Sequence, residues 1–306
     1  MIEGKLPEGI VVFERGWLSA NNILFMGARS TVLIDSGYST HADQTIALLG
    51  KVLGLKPLDF LINTHLHSDH CGGNAALQAF YPDLQTLIPP GQAKSVSSWD
   101  PVALTYVPTG QLCPRFSFDK VLRPGSEIEL ADIAWEIHAA PGHDPHSVVF
   151  FEPGSRTLVS ADALWEKGFG VVFPELEGVA AFEEVSATFD LIERLVPRTI
   201  IPGHGSVFEY RQEILLNARQ RLEAFIKNPA RHAQHAAKVL LKFKLLERQQ
   251  LAESELSTWA KATMYFHTIH EKFFASIPVD EWIEKLVGEL ITSGAARRHG
   301  ALVLNS

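Results

Sequence analysis

Residues 63–74 read Asn63-Thr64-His65-Leu66-His67-Ser68-Asp69-His70-Cys71-Gly72-Gly73-Asn74, directly after the apolar run Leu58 to Ile62. The apolar run predicts a buried strand and the polar stretch its tip. His65, His67, Asp69 and His70 all belong to side-chain types that bind divalent metals, and imidazole is the commonest zinc ligand. In an extended tip side chains alternate with period two, so His65, His67 and Asp69 share one side and His70 swings to the other. One stretch can therefore serve two adjacent ions. A solvated polar loop accounts for a lone histidine, but poorly for H-x-H-x-D-H behind a buried strand.

The surrounding chain bounds what such a site can belong to. With 306 residues and 46% hydrophobic content, it can bury a large core as one large unit plus a smaller one, or as one elaborated unit. Its start, Met1-Ile2-Glu3-Gly4-Lys5-Leu6-Pro7-Glu8-Gly9-Ile10, lacks a basic region followed by an apolar one, and no apolar run approaches the roughly 18 residues of a membrane span. A cytoplasmic protein without membrane contact is expected. The two cysteines, Cys71 and Cys113, imply no disulfide framework, and Cys71 before Gly72 and Gly73 reads as a small buried thiol rather than a ligand. Residues 1–228 carry 17 Lys and Arg against 27 Asp and Glu, and residues 229–306 carry 10 against 8. The larger part is not built to attract a polyanion through its overall field.

Read in order, the chain opens with short strands over 10–13, 22–26 and 30–34, and a meander ending in Asp35-Ser36-Gly37. A helix follows from Thr40 with an apolar stripe of Ala42, Ile46, Leu49 and Val52, closed by Gly54. Asp35 either opens a turn or supports a metal-binding histidine from behind. A short helix over 73–80 leads to a strand over 84–88. Residues 89–119 form a Pro-, Ser- and Thr-rich connection of the kind that borders substrate sites. Strands return over 120–122, 127–130 and 134–139, followed by a hairpin of 147–151 with 157–160, a helix over 182–196 and a strand over 199–201. Four times a short apolar strand ends in ligand types: His65 to His70, then His143 in Pro-Gly-His, Asp162 in Ser-Ala-Asp, and His204 in Pro-Gly-His-Gly. A layered α/β fold gathers strand ends along one edge. Five histidines and two aspartates suffice for two cations with about three protein ligands each and a shared bridge.

The ordered set T-H-x-H-x-D-H, P-G-H, S-A-D and P-G-H-G, spanning about residues 8–207, resembles the metallo-β-lactamase superfamily. The resemblance implies a four-layered αβ/βα sandwich with a dinuclear site on one edge. It implies that His65, His67 and His143 bind one metal, that Asp69, His70 and His204 bind the second, and that Asp162 bridges them. True β-lactamases of the superfamily usually carry Cys where Asp162 stands, so the chain is more similar to its hydrolase branches, such as glyoxalase II, lactonases and RNA-processing nucleases. The diiron redox branch usually has an acid where His67 stands, while persulfide dioxygenases share much of the motif with one iron. The expected cofactor is a pair of divalent ions, zinc foremost, with iron or manganese as alternatives.

Two adjacent divalent ions can supply a water nucleophile at neutral pH, and Asp69 is placed to orient it and take its proton as catalytic residue. This suits a small-molecule thioester, ester or lactone. The segment after Asp162 carries Trp165, Phe169 and Phe173 between Gly168 and Gly170, and reads either as an apolar wall over an acyl chain or as core under a loop. Residues 1–208 are expected to form the catalytic unit. Residues 209–306 are expected to form a helical, winged-helix-like module: a helix over 209–226, a break at Asn228-Pro229, further helices over 231–249, 254–264 and 279–292, and a hairpin turning at His299-Gly300. A net charge of only +2 beyond residue 228 favours packing, or a homodimer contact, over a nucleic-acid partner. The pairs His232/His235 and His267/His270 lack a third ligand type and are not taken as metal sites. A second reading, a nucleic-acid phosphodiesterase holding its substrate with the terminal module, calls for a basic groove to the metal edge. The first calls for an apolar pocket walled by residues 163–173.

Overall fold

The computed structural model describes residues 6–306, so the first five residues of the N-terminal stretch lie outside it. One six-stranded mixed sheet runs in sequence order, β1 (Ile10–Phe13), β2 (Asn22–Met26), β3 (Thr31–Ile34), β4 (Phe60–Ile62), β5 (Gln85–Ile88) and β6 (Lys120–Val121), antiparallel up to β3 and parallel from β3 to β6. The second comprises β7 (Glu127–Leu130), β8 (Ile133–Ala139), β9 (Val148–Glu152), β10 (Thr157–Ala161), β11 (Thr199–Pro202) and β12 (Phe208–Glu209), with β10 and β11 its one parallel pair.

Side-chain alternation explains the layering. Ile23, Phe25, Val32 and Ile34 point inward against Trp135, Ile137, Val148 and Phe150 of the second sheet. Their neighbours Leu24 and Leu33 point outward and pack on Leu49 and Leu53 of the helix Ala42–Leu53. Val149 and Phe151 likewise pack outward on Phe182, Val185 and Phe189 of the helix Phe182–Leu195. Strands covered on both faces must be apolar throughout, which is how β2, β3 and β9 read. The result is the expected αβ/βα sandwich.

Beyond residue 208, the boundary expected from the sequence, the chain is mainly helical. The helix Gln212–Lys227 sends Ile214, Leu215, Ala218, Leu222 and Phe225 into the second sheet's outer core. A further core gathers from Ala233 onward on the helix Pro229–Arg248 and takes in Val171 and Leu176 from the preceding part of the chain. Asn228 caps that helix by accepting from the Arg231 amide at 3.2 Å. Beyond it β13 (Gln250–Ala252), the helices Glu253–Ala262 and Val279–Thr292, and the hairpin β14 (Ala296–His299) with β15 (Leu302–Asn305) complete a winged-helix-like arrangement whose sheet order is β13-β15-β14. No described helix is long and apolar enough to cross a membrane.

Candidate metal centre

The C-terminal ends of the parallel strands β3, β4, β10 and β11 meet at one edge of the sandwich, which is where such sheets place ligands. Asn21 ties the two sheets together there, donating from Nδ2 to the carbonyls of Pro202 and Gly205 at 3.0 and 2.7 Å. The stretch after β4 is not extended throughout. His67 precedes a one-turn helix, Ser68–Cys71, so the turn and not strand alternation places Asp69 and His70. Its carbonyls are anchored by amides from elsewhere, Ala20 N–H on Asp69 O at 2.9 Å and Ser36 N–H on His70 O at 2.7 Å.

All seven expected ligands converge. Three donor sets have atoms within 4.8 Å of one another: His65, His67 and His143; Asp69, His70 and His204; and His65, His70 and Asp162. Asp162 lies between the first two, its oxygens 3.4 Å from His70 Nε2, 3.4 Å from His143 Nε2 and 3.8 Å from His204 Nε2. His67 Nδ1 stands 2.8 Å from His143 Nε2, and Asp69 Oδ2 3.1 Å from His204 Nε2.

Three of the five rings, those of His65, His70 and His143, are held through Nδ1. Asp35 Oδ2 accepts from His70 Nδ1 at 2.7 Å, so Asp35 takes the supporting role rather than merely opening a turn. Val171 O takes His143 Nδ1 at 2.5 Å, and Thr64 Oγ1 contacts His65 Nδ1 at 3.1 Å. Close approach of backbone frames the ligands: a Cβ on Gly203 would fall 2.2 Å from Asp162 Oδ1, and one on Gly170 2.4 Å from His143 Nδ1. Asp162 follows Ala161, whose φ of +46° is rare for a residue with a Cβ and turns the carboxylate into the site.

The residues fit divalent cations. His65 Nε2 and His70 Nε2 are buried without a hydrogen-bond partner, and buried polar atoms are otherwise nearly always satisfied. Nitrogen and carboxylate donors in threes are what zinc, iron and manganese accept. Burial and the crowding of His70, His67 and His143 push the His65 imidazole well below its usual range, keeping its lone pair available. Burial, reinforced by His143, brings His67 down to about 4. His70 goes the other way: burial opposes its charge, but Asp35, Asp162 and Asp69 outweigh that and raise it well above the usual value.

The sequence model of the metallo-beta-lactamase superfamily matches residues 15–204. The chain belongs to this superfamily. A probable metallo-hydrolase of Methanocaldococcus jannaschii is 28% identical over 199 residues, 62% of this chain and 89% of that protein. A hydroxyacylglutathione hydrolase of Xanthomonas axonopodis pv. citri is 26% identical over 254 residues, 80% of each chain. Among solved structures, a metallo-beta-lactamase family protein of Thermus thermophilus superposes with a TM-score of 0.55 at 19% identity, covering 98% of this chain and 99% of that one. The protein is thus a metallo-β-lactamase-superfamily hydrolase in a family that binds divalent metals.

Around the centre lies a cavity of about 660 Å³ that local sequence patterns do not disclose in full. Of the two readings of the 163–173 segment, Trp165, Phe169 and Phe173 follow the first and line the cavity, with Phe173 5.5 Å from the His67 ring. The facing wall comes from the helix Pro229–Arg248 through Val239, Phe243 and Leu246. Trp17, in the turn between β1 and β2, stacks on His204 with ring centroids 5.2 Å apart and planes 11° from parallel. No local signal marks Trp17, since its partner is far away in sequence. Thr109 and Gln111 of the 89–119 connection reach the same cavity. His232 and His235 are no metal pair: His232 Nε2 accepts from the Val172 amide at 3.2 Å, and His235 Nε2 accepts from Arg221 at 2.8 Å.

Proposed function

We propose that this superfamily hydrolase uses two divalent ions, zinc foremost, to cleave a small thioester, ester or lactone. The observation that carries the reading is the cavity wall: aromatic rings of residues 165–173 face aliphatic and aromatic side chains of the helix Pro229–Arg248, an enclosure suited to an acyl chain. The name of the Xanthomonas relative, a hydrolase of an acylglutathione, supports thioester chemistry.

His65, His67 and His143 would hold one ion and Asp69, His70 and His204 the other, with Asp162 between them. When bound, the ions supply Lewis-acid polarisation of the scissile carbonyl and a water of lowered pKa. The chain's own residues do the rest. Burial by itself would raise the Asp69 carboxyl, but His70 and His204 outweigh it and hold the group below the usual carboxylate range. Asp69 is therefore ionised at neutral pH, ready to orient the attacking water and accept its proton. Asp35 and the Val171 carbonyl keep His70 and His143 in fixed tautomers, and the apolar wall excludes bulk water from the acyl group.

Metal content measured alongside hydrolysis of thioesters, lactones, β-lactams and an oligonucleotide tests the reading, with zinc, manganese and iron each loaded. Thioester or lactone turnover is expected, lost together with bound metal in Asp162→Ala and His65→Ala. Full activity and two retained metals in either variant would overturn the assignment, and cleavage of the oligonucleotide alone would favour a phosphodiesterase.

A further inference from the structure

A second cleft, of about 810 Å³, opens between the helices Gln212–Lys227 and Pro229–Arg248 and shares Arg221, His235 and Lys238 with the catalytic cavity. Its charges are not balanced. Lys238 is neutralised by Glu289 at 3.0 Å, and Glu223 is occupied by Lys227 at 2.6 Å. Arg221 and Arg231 both line the cleft, and neither pairs with a carboxylate among the described residues. Arg221 is nonetheless fixed in place. Its guanidinium lies over Phe169 and Phe225, 5.6 and 5.4 Å from the ring centroids, and donates to His235 Nε2 at 2.8 Å. Phe169 belongs to the aromatic wall of the catalytic cavity, so Arg221 stands where the two spaces join. The repulsion is felt locally: burial, then Arg221 and its cationic neighbours, push the His235 imidazole down to about 3.

Two unpaired guanidiniums beside a neutral imidazole match a dianion, and arginine's planar fork favours phosphate oxygens. We propose that this cleft is a phosphate subsite, receiving the phosphate end of the carrier thiol when the acyl end of a thioester lies at the metal centre. The substrate class is then an acyl thioester of a phosphorylated pantetheine, such as an acyl-coenzyme A. This rests on the thioester reading above. A polyanion groove is not what the charges describe: on the terminal hairpin Arg298 is already paired with Glu253, and the whole chain carries −8.

The test compares octanoyl thioesters of coenzyme A, 4′-phosphopantetheine and pantetheine with the full-length, metal-loaded protein. The expected kcat/KM is at least about tenfold higher for the coenzyme A ester than for the pantetheine ester, carried by KM. In Arg231→Gln, an exposed position where folding is not at stake, that ratio is expected to fall towards one, and Arg231→Lys to restore part of it. The phosphopantetheine ester separates a need for one phosphate from a need for the nucleotide. Equal kcat/KM for all three esters, or a ratio unchanged in Arg231→Gln, overturns the subsite. If no thioester is cleaved the functional reading fails, and the subsite is judged by calorimetric titration with coenzyme A and inorganic pyrophosphate. Binding weakened about tenfold in Arg231→Gln supports it, whereas no binding to the wild type overturns it. Oligonucleotide binding with a salt dependence of several phosphates also overturns it, in favour of a polyanion groove.

Discussion

Asp35 and His70 are locked together in the interior, carboxylate Oδ2 against ring Nδ1 at 2.7 Å. Asp35 adopts φ +58° and accepts two further hydrogen bonds from Thr64, one from its amide at 2.9 Å and one from its hydroxyl at 2.8 Å. The contact fixes the proton of His70 on Nδ1 and leaves Nε2 aimed at Asp162.

Asp35→Asn keeps the shape and tolerates the positive φ, but an amide cannot accept from Thr64 and His70 as a carboxylate does. Loss of such a partner weakens metal affinity or activity by about 10- to 100-fold. Metal per chain after dialysis against a mild chelator, with circular dichroism to confirm folding, reads this out. Full metal retention and unchanged turnover would show that Asp35 only shapes the turn.

The convergence of the seven candidate ligands was legible because they stand at four strand ends, three of them beside Gly or Pro, a purely local pattern. The one-turn helix Ser68–Cys71 was not, because four residues are too few to show a period, and so Asp69 was expected from an extended tip. The stripe on the helix Ala42–Leu53 was legible in kind but shifted at its end. Val52 is 36% exposed and Leu53 is the buried residue, because the covering leucines of β2 and β3, not the helix itself, decide which side is covered. The helix Met264–Ile269 and the turn of π-helix after it were missed. Least legible was the second cavity wall. The amphipathic pattern of Pro229–Arg248 announces a buried face, but not that Val239, Phe243 and Leu246 turn towards the catalytic cavity, which only tertiary packing decides.

Gly203→Ala tests crowding at the bridge between the donor sets. Gly203 has no positive φ, so the added methyl strains no backbone; it meets Asp162 Oδ1 at 2.2 Å and must displace the carboxylate. Misplacement of a reacting group by about 1 Å costs roughly 100-fold, and a drop of that order in kcat, with metal loss, is expected. Steady-state kinetics and metal analysis of one preparation suffice, and a near-wild-type kcat would mean that Asp162 has room to move.

Trp17→Ala removes a ring that stacks on His204 and meets Trp165 edge-on at 5.2 Å. The side chain is 55% exposed, so folding stability should change little. Aromatic contacts of this kind contribute about 0.5–1.5 kcal/mol, which corresponds to a fall of about two- to tenfold in kcat/KM. Metal content should stay at the wild-type level. A variant that loses metal instead would place Trp17 in support of His204 rather than over the substrate.

His232 makes acid sensitivity separable from the candidate metal ligands. It is 1% exposed, lies between Phe182 and Phe225, and accepts the Val172 amide. Burial, with the Arg221 charge adding to it, lowers its pKa from 6.5 to about 4. The unfolded chain takes up a proton near pH 6.5 and the folded chain only near 4, so in that window the unfolded state binds more protons. Stability is therefore full above pH 6.5 and falls with pH, by about 3 kcal/mol at pH 4 at 1.36 kcal/mol per unit. Gln at this position does not titrate, and its amide oxygen can take the Val172 N–H. Urea unfolding of wild type and His232→Gln at pH 7, 6, 5 and 4 measures the difference, in which the other histidines cancel. The wild type should lose about 3 kcal/mol more than the variant from pH 7 to 4. Parallel curves would mean that His232 takes its proton in the folded chain as readily as in the unfolded one.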